Sequence, residues 1–147
     1  MTYYERIVLY FDGASRHNPH GPAGCGWILH TMDDDGALQW SFAEGSEYLG
    51  YDISNNQAEY EGVIKGVEYL VENGISCDKL YIRGDSQIVI RQLDGEYNVN
   101  SQNIIPYYNE AKDALNQLGC DITYRHVYRD NNWKADDLAN EAIERGY

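Results

Sequence analysis

Two apolar runs, Ile7–Phe11 and Cys25–Leu29, flank a segment, Gly13–Gly24, rich in Gly, Pro, Asn and His. Short apolar runs bounded by chain-breaking residues read as strand, loop and strand. Met32-Asp33-Asp34-Asp35-Gly36 then reads as a hairpin turn into a third strand, about Leu38–Tyr48. The three aspartates lack the alternating acids and terminal Glu of a calcium-binding EF-hand loop, which leaves an exposed turn. The strongest periodicity follows. Tyr60, Val63, Ile64, Val67, Leu70 and Val71 recur at helical spacing and mark one buried stripe. Ser54 and Gln57 form the capping-box pair ahead of it, and Gly74 is its stop. Glu59 falls one residue before the first buried position, at the helix edge and close to the sheet.

Lys79–Arg83 reads as a fourth strand, Ser86–Leu93 as a short helix and Gly95–Asn103 as a loop. Ile104–Leu118 is helical, with Pro106 in the first turn and Gly119 as its stop. Asp121–Val127 alternates Ile122 and Tyr124 against Thr123 and Arg125, a fifth strand. Asn132–Ile143 is a last helix whose Ala135, Leu138, Ala139 and Ala142 make a small-residue face suited to close packing. The order β-β-β-α-β-α-α-β-α, a meander followed by alternation, implies an α/β fold with a mixed sheet covered by helices. With no internal repeat or linker, residues 1–147 read as one domain and as a monomer.

Composition narrows the class. Hydrophobic residues make up 43% and charged residues 24%, as in soluble globular chains. No apolar run approaches the ~20 residues of a membrane span, and Met1–Arg6 is polar without a signal-peptide pattern. Cys25, Cys77 and Cys120 are odd in number and far apart, which favours reduced core thiols in the cytoplasm or nucleus. The net charge of −13, with 11 Lys+Arg and no run of them, argues against a simple basic nucleic-acid surface. Two readings survive: cations held by acids meet the phosphates, or the acids are a solvated surface. An acid-rich, lysine-poor surface also suits a high-salt cytoplasm.

Four acids then change the picture. Asp12 ends the first apolar run and precedes Gly13; Asp85 follows the fourth strand and Gly84. Glu59 lies early in the long helix, and Asp136 early in the last one. Acids at strand ends and helix starts can converge at one sheet edge, where they repel unless a divalent cation compensates them. Two metal ions held by four carboxylates cleave phosphodiesters in line, without a Ser or Cys nucleophile. No P-loop, GxSxG or HExxH competes, and His17, His20, His30 and His126 lack zinc spacing. Singly, each acid has a plainer reading: Asp12-Gly13 a turn, Glu59 a solvated helix position, Asp85 a helix cap with Ser86 as rival. Asp136 adjoins Asp137, and either could be the exposed one.

Their neighbours carry a resemblance. Asp12-Gly13-Ala14-Ser15, Asn18-Pro19 and Gly21-Pro22-Ala23-Gly24-Cys25-Gly26 resemble the opening of type 1 ribonuclease H proteins. Asn55-Asn56-Gln57-Ala58-Glu59, Asp85-Ser86-Gln87 and Asn132-x-x-Ala135-Asp136-x-Leu138-Ala139 match that family's later motifs, in order, across Ile7 to Ile143. The resemblance implies an RNase H-like fold, a five-stranded sheet of order 3-2-1-4-5. It also implies Mg²⁺-dependent cleavage, with Mn²⁺ as substitute, of the RNA strand of an RNA/DNA hybrid, leaving 3′-hydroxyl and 5′-phosphate. Asp12, Glu59, Asp85 and Asp136 would then be the metal-binding and catalytic carboxylates, with Asp12 between two ions and Glu59 near a 2′-hydroxyl. Gly13, Ser15, Asn18, Asn55, Asn56, Gln57, Ser86 and Gln87 would fall on substrate-contacting segments. Turn and capping duty competes for Ser54 and Asn55, and Gly13 serves either close backbone approach or a turn.

Two features depart from the bacterial pattern. A catalytic His sits there in a flexible loop, whereas His126 ends a strand-like run, so His126 and Arg129 are equal candidates for the assisting residue. The variant His126-Val127-x-Arg129 resembles archaeal and plant-type members. The basic protrusion of many relatives is also missing, because Gly95–Asn103 is short and holds no Lys or Arg. Weak, metal-dependent hybrid binding is the expectation. A DNA nuclease of the same fold and a silent hybrid-binding retroelement-type domain are the rival readings; the Asn-Asn-x-x-Glu helix opposes the first and the intact acid set the second.

Overall fold

The computed structural model describes residues 1–147. Five strands, β1 (Thr2–Ser15), β2 (Ala23–Met32), β3 (Leu38–Gly50), β4 (Ile75–Gly84) and β5 (Asp121–His126), form one sheet of order β3-β2-β1-β4-β5. The β1–β2 and β2–β3 pairs are antiparallel, while β1–β4 and β4–β5 are parallel. The helices are α1 (Asn55–Glu72), α2 (Gln87–Leu93), α3 (Ile105–Leu118) and α4 (Trp133–Arg145), the last preceded by a 3-10 turn at Arg129–Asn132. Element order and strand order match the sequence-based expectation. No helix is long and apolar enough to cross a membrane.

Alternation along the central strands divides the sheet into two faces. Ile7, Leu9 and Phe11 of β1 and Leu80 and Ile82 of β4 meet the apolar stripe of α1, with α2 and α3 beside it. On the other face α4 packs across β2, β3 and β1. Two glycines of β2 let it settle: a Cβ at Gly26 would lie 2.5 Å from the Ala135 carbonyl oxygen, and one at Gly24 2.7 Å from that of Ala139. The small-residue face of the last helix is therefore a contact against glycines, at backbone-to-backbone range.

Local signals place the helix starts. Ser54 and Gln57 form the reciprocal capping box of α1, at 3.1 and 2.8 Å. Ser86, not Asp85, caps α2 by accepting from the Val89 N–H. Pro106 sits in the first turn of α3, and Gly119 ends it at φ 64°.

The strand ends differ from expectation. β1 runs from Thr2 to Ser15, past the apolar run at both ends, so Asp12 lies inside the strand, paired with Gly26. β4 begins at Ile75, β2 at Ala23, β3 extends to Gly50 and β5 stops at His126. The apolar runs mark only the middle of each strand; the ladder carries pairing beyond them, as at Thr2 beside Ile75 and Ser15 beside Ala23. Cys77 and Cys120, distant in sequence, lie with their sulfurs 3.8 Å apart as free thiols, half-buried, while Cys25 is buried.

Candidate active site

Because β1 and β4 run parallel with Phe11 beside Gly84, Asp12 and Asp85 emerge together at the same end of the sheet. Glu59 is brought to them by two glycines. A Cβ at Gly13 would stand 2.2 Å from the Ala58 and Glu59 backbone, and one at Gly62 2.9 Å from the Asp12 carbonyl. Gly13 thus serves neither a turn nor a positive φ; it lets α1 touch β1. Carboxylate oxygens of Asp12, Glu59 and Asp85 lie within 4.8 Å of one another. Glu59 is buried at 8% exposure rather than set on the helix edge, and Asp12 is buried at 4%.

The electrostatics follow from that crowding. Burial first, then Asp85 and Asp136, push the Asp12 carboxyl up from 3.8 to about 7, against the opposing pull of its contacts with Glu59 and the Gly13 N–H. Burial, then Asp12 and Asp85, raise Glu59 well above the ordinary carboxylate range. One Glu59 oxygen, Oε2, is buried with no hydrogen-bond partner. A buried, oxygen-only donor set with an orphaned carboxylate oxygen fits a hard divalent cation.

Asp136 joins from the first turn of α4. Asn140 Nδ2 donates to its side-chain and main-chain oxygens at 3.2 and 3.0 Å, and Arg129 approaches to 3.9 Å. Asp137 is exposed, so of the adjoining pair it is Asp136 that faces the cleft. The cleft, about 490 Å³, is lined by all four acids.

A model of the reverse transcriptase-like family matches residues 10–142. The chain is 40% identical over 139 residues to ribonuclease HI of Halobacterium salinarum, covering 95% of this chain and 65% of that protein. The crystal structure of RNase H1 from that archaeon matches with a TM-score of 0.81, over 96% of this chain and 99% of the other. This chain belongs to the type 1 ribonuclease H family. The N-terminal RNase H domain of Rv2228c from Mycobacterium tuberculosis is similar at TM-score 0.83 and 33% identity, over 96% of this chain and 95% of the other. LC11-RNase H1, solved in complex with an RNA/DNA hybrid, is similar at TM-score 0.81 and 32% identity, over 95% and 97%. The chain spans 65% of the Halobacterium protein's length and 36% of the full Mycobacterium one.

The ribonuclease H motif residues divide on inspection. Gly13, Ser15, Asn55, Asn56 and Ser86 line the cleft, and Asn18, Gln57 and Gln87 do not. Asn18 accepts from the Asn55 N–H at 3.0 Å, and Asn55 Oδ1 accepts from the Ser15 N–H at 2.8 Å. These three residues knit the β1–β2 loop to the start of α1. Gln57 lies outside the cleft, with both ends of its amide engaged by the Ser54 N–H and the Asn103 carbonyl. Gln87 is exposed on α2, and its amide oxygen, oriented to satisfy both groups, accepts from Arg91 at 3.0 Å. His126 pairs in register with Gly84, shares the side of Ile122 and Tyr124, and sits edge-on to Tyr128; it does not line the cleft. Arg129 does.

Three contributors escape sequence reasoning. Arg16 lines the cleft and donates to Asn140 Oδ1 at 3.3 Å. Asn140 in turn holds Asp136. Asn132, buried at 2% exposure, donates to the Phe11 carbonyl at 2.9 Å and ties the entrance of α4 to β1 one residue before Asp12. Asn132 opens a quoted motif, so a signal for it exists. Arg16 and Asn140 lie far apart in sequence, and only the folded loop joins them.

Proposed function

We propose that this chain is a metal-dependent endoribonuclease that hydrolyses the RNA strand of RNA/DNA hybrids, leaving 3′-hydroxyl and 5′-phosphate ends. The observation that carries this reading is the approach of Asp12, Glu59 and Asp85 within 4.8 Å, with Asp136 in the same cleft. The hybrid-bound relative supports the substrate. Asp12, Glu59, Asp85 and Asp136 would hold two Mg²⁺ ions, or Mn²⁺ in their place, which supply an activated water and charge compensation at the leaving oxygen. The chain's own residues do the rest. Asn140, which donates to Asp136, would keep that carboxylate turned to the cleft, with Arg129 3.9 Å from it. Asn56, at the cleft rim, offers an uncharged amide to a 2′-hydroxyl in the wide minor groove. Arg16 and Arg129 place positive charge at the cleft, where a phosphate would enter.

The deciding assay uses end-labelled RNA/DNA hybrid and duplex DNA, with Mg²⁺ or chelator, on wild type and Asp12→Asn. Hybrid cleavage that needs Mg²⁺ and disappears in the variant is the expected result. Cleavage of duplex DNA would favour a DNA nuclease, and hybrid binding without cleavage in Mg²⁺ or Mn²⁺ a silent domain. Its position in the cleft supports Arg129 over His126 for the assisting role. Arg129→Ala is expected to lower kcat by about 10- to 100-fold with hybrid affinity little changed, while His126→Ala stays near wild type. The reverse ranking of kcat would return the role to His126.

A further inference from the structure

The face of the sheet on the α4 side is covered over β1–β3 and bare over β4 and β5, since α1 and α2 lie on the opposite side. Alternation puts Lys79, Tyr81 and Arg83 of β4 on this bare face, beside Arg6 and Tyr10 of β1 and Arg125 of β5. Register aligns them in rows: Tyr10 with Arg83 and Arg125, Arg6 with Lys79. Arg83 donates to the Tyr10 hydroxyl at 3.0 Å, with its guanidinium carbon 5.8 Å from the ring centroid.

Lys79, Arg83 and Arg125 have no carboxylate oxygen within 4.0 Å; Arg16 and Lys112 are likewise unpaired elsewhere, but here three such cations share one open face. Arg83 Nε is buried with no hydrogen-bond partner at all. Arg6 is already engaged by Glu5 and Asp34, and Asp121 stands opposite Lys79 at the far corner. The same rows lead into the cleft: Asp12 follows Tyr10 and Asp85 follows Arg83 by two residues, roughly 7 Å along a strand.

We propose that this bare β4–β5 face binds a single-stranded extension of the nucleic-acid substrate as it leaves the carboxylate cleft. Unpaired cations, tyrosine rings and an open sheet are what an unpaired strand needs: phosphates meet the charges and bases splay onto the rings. A duplex would present only phosphates and leave the rings idle. The cations come from three strands separated in sequence, which explains why no basic run marks them. The proposal rests on the nucleic-acid reading of the cleft.

The test compares a blunt hybrid with hybrids of equal paired length that carry about ten unpaired nucleotides at one RNA end, the other RNA end, or either DNA end. For wild type, one extension is expected to lower KM about three- to tenfold. Lys79→Gln/Arg125→Gln should lose that gain while cleaving the blunt hybrid as wild type does. Direct binding of a labelled single-stranded oligonucleotide, followed by anisotropy across salt, reads the face without cleavage. The double variant should flatten the salt slope by about 1.4, at about 0.7 per lost contact. No gain from any extension, a gain that survives in the double variant, or preferential binding of an acidic polypeptide over the oligonucleotide would overturn the proposal. Failure to cleave the blunt hybrid would instead count against the nuclease reading, and the anisotropy result would still decide the face.

Discussion

With divalent cations removed, the protein is expected to lose stability as pH rises from about 4 to 8, and Asp12→Asn to escape the part of that loss that Asp12 carries. The folded state raises the Asp12 carboxyl from 3.8 to about 7 and raises Glu59 as well. Between the unfolded and folded values the native protein keeps protons that the unfolded chain has released. The linkage slope is then negative, about 1.4 kcal/mol per pH unit for each group. For Asp12 the stability is full below about pH 4 and lost progressively up to about pH 7, and the raised Glu59 carboxyl adds a loss in the same direction. At pH 8 the Asn variant should exceed metal-free wild type by up to about 4 kcal/mol, with the gap closing at pH 4. Mg²⁺ should raise the melting temperature of wild type and leave the variant nearly unmoved. Thermal melts at pH 4, 6 and 8, with chelator or Mg²⁺, test this; parallel pH profiles for the two proteins would refute the electrostatic account.

Gly26→Ala is expected to be strongly destabilising and to unseat the last helix. The new Cβ would meet the Ala135 oxygen at 2.5 Å, the Leu138 Cβ at 2.6 Å and the Ala139 nitrogen at 2.7 Å. Backbone lies on two of these sides, so the strain is not relieved by one side chain turning away. A cost of about 3 kcal/mol is expected. Because α4 carries Asp136, displacement of the helix should also remove activity under conditions where the fold persists. Gly36→Ala is the control, with nothing within 4 Å of the added Cβ; its φ of 84° limits the cost to about 1 kcal/mol. Urea titrations of both variants, paired with the cleavage assay, measure the two effects. A Gly26→Ala protein as stable as wild type would show that α4 is less tightly seated than its contacts indicate.

What the sequence revealed, and what it hid, divides by range. The stripe Tyr60 to Val71 and the Ser54–Gln57 box located α1 because cap and periodicity are local properties. Strand ends stayed hidden because residues such as Thr2 are held by ladder partners far away in sequence. The four acids were visible through their neighbours, but the burial of Glu59 was not. It depends on Gly13 and Gly62 letting two backbones meet, a fact of tertiary packing. Gln57 and Gln87 stand in family motifs that imply substrate contact, and the fold also engages both amides within the protein, a duty only tertiary structure reveals. The sheet side of His126 and the cleft position of Arg129 are tertiary facts as well, which is why the sequence offers the two as equals.

The late placement of α4 bears on how such a chain is made. β1, α1 and β4 bring together Asp12, Glu59 and Asp85, but Asp136 arrives only with the helix that seats on Gly24 and Gly26, synthesised after every strand of the sheet. A chain cut after β5 would keep every strand of the sheet and still be one acid short. The completeness of the cleft thus hangs on the last helix and on the two glycines that let it dock.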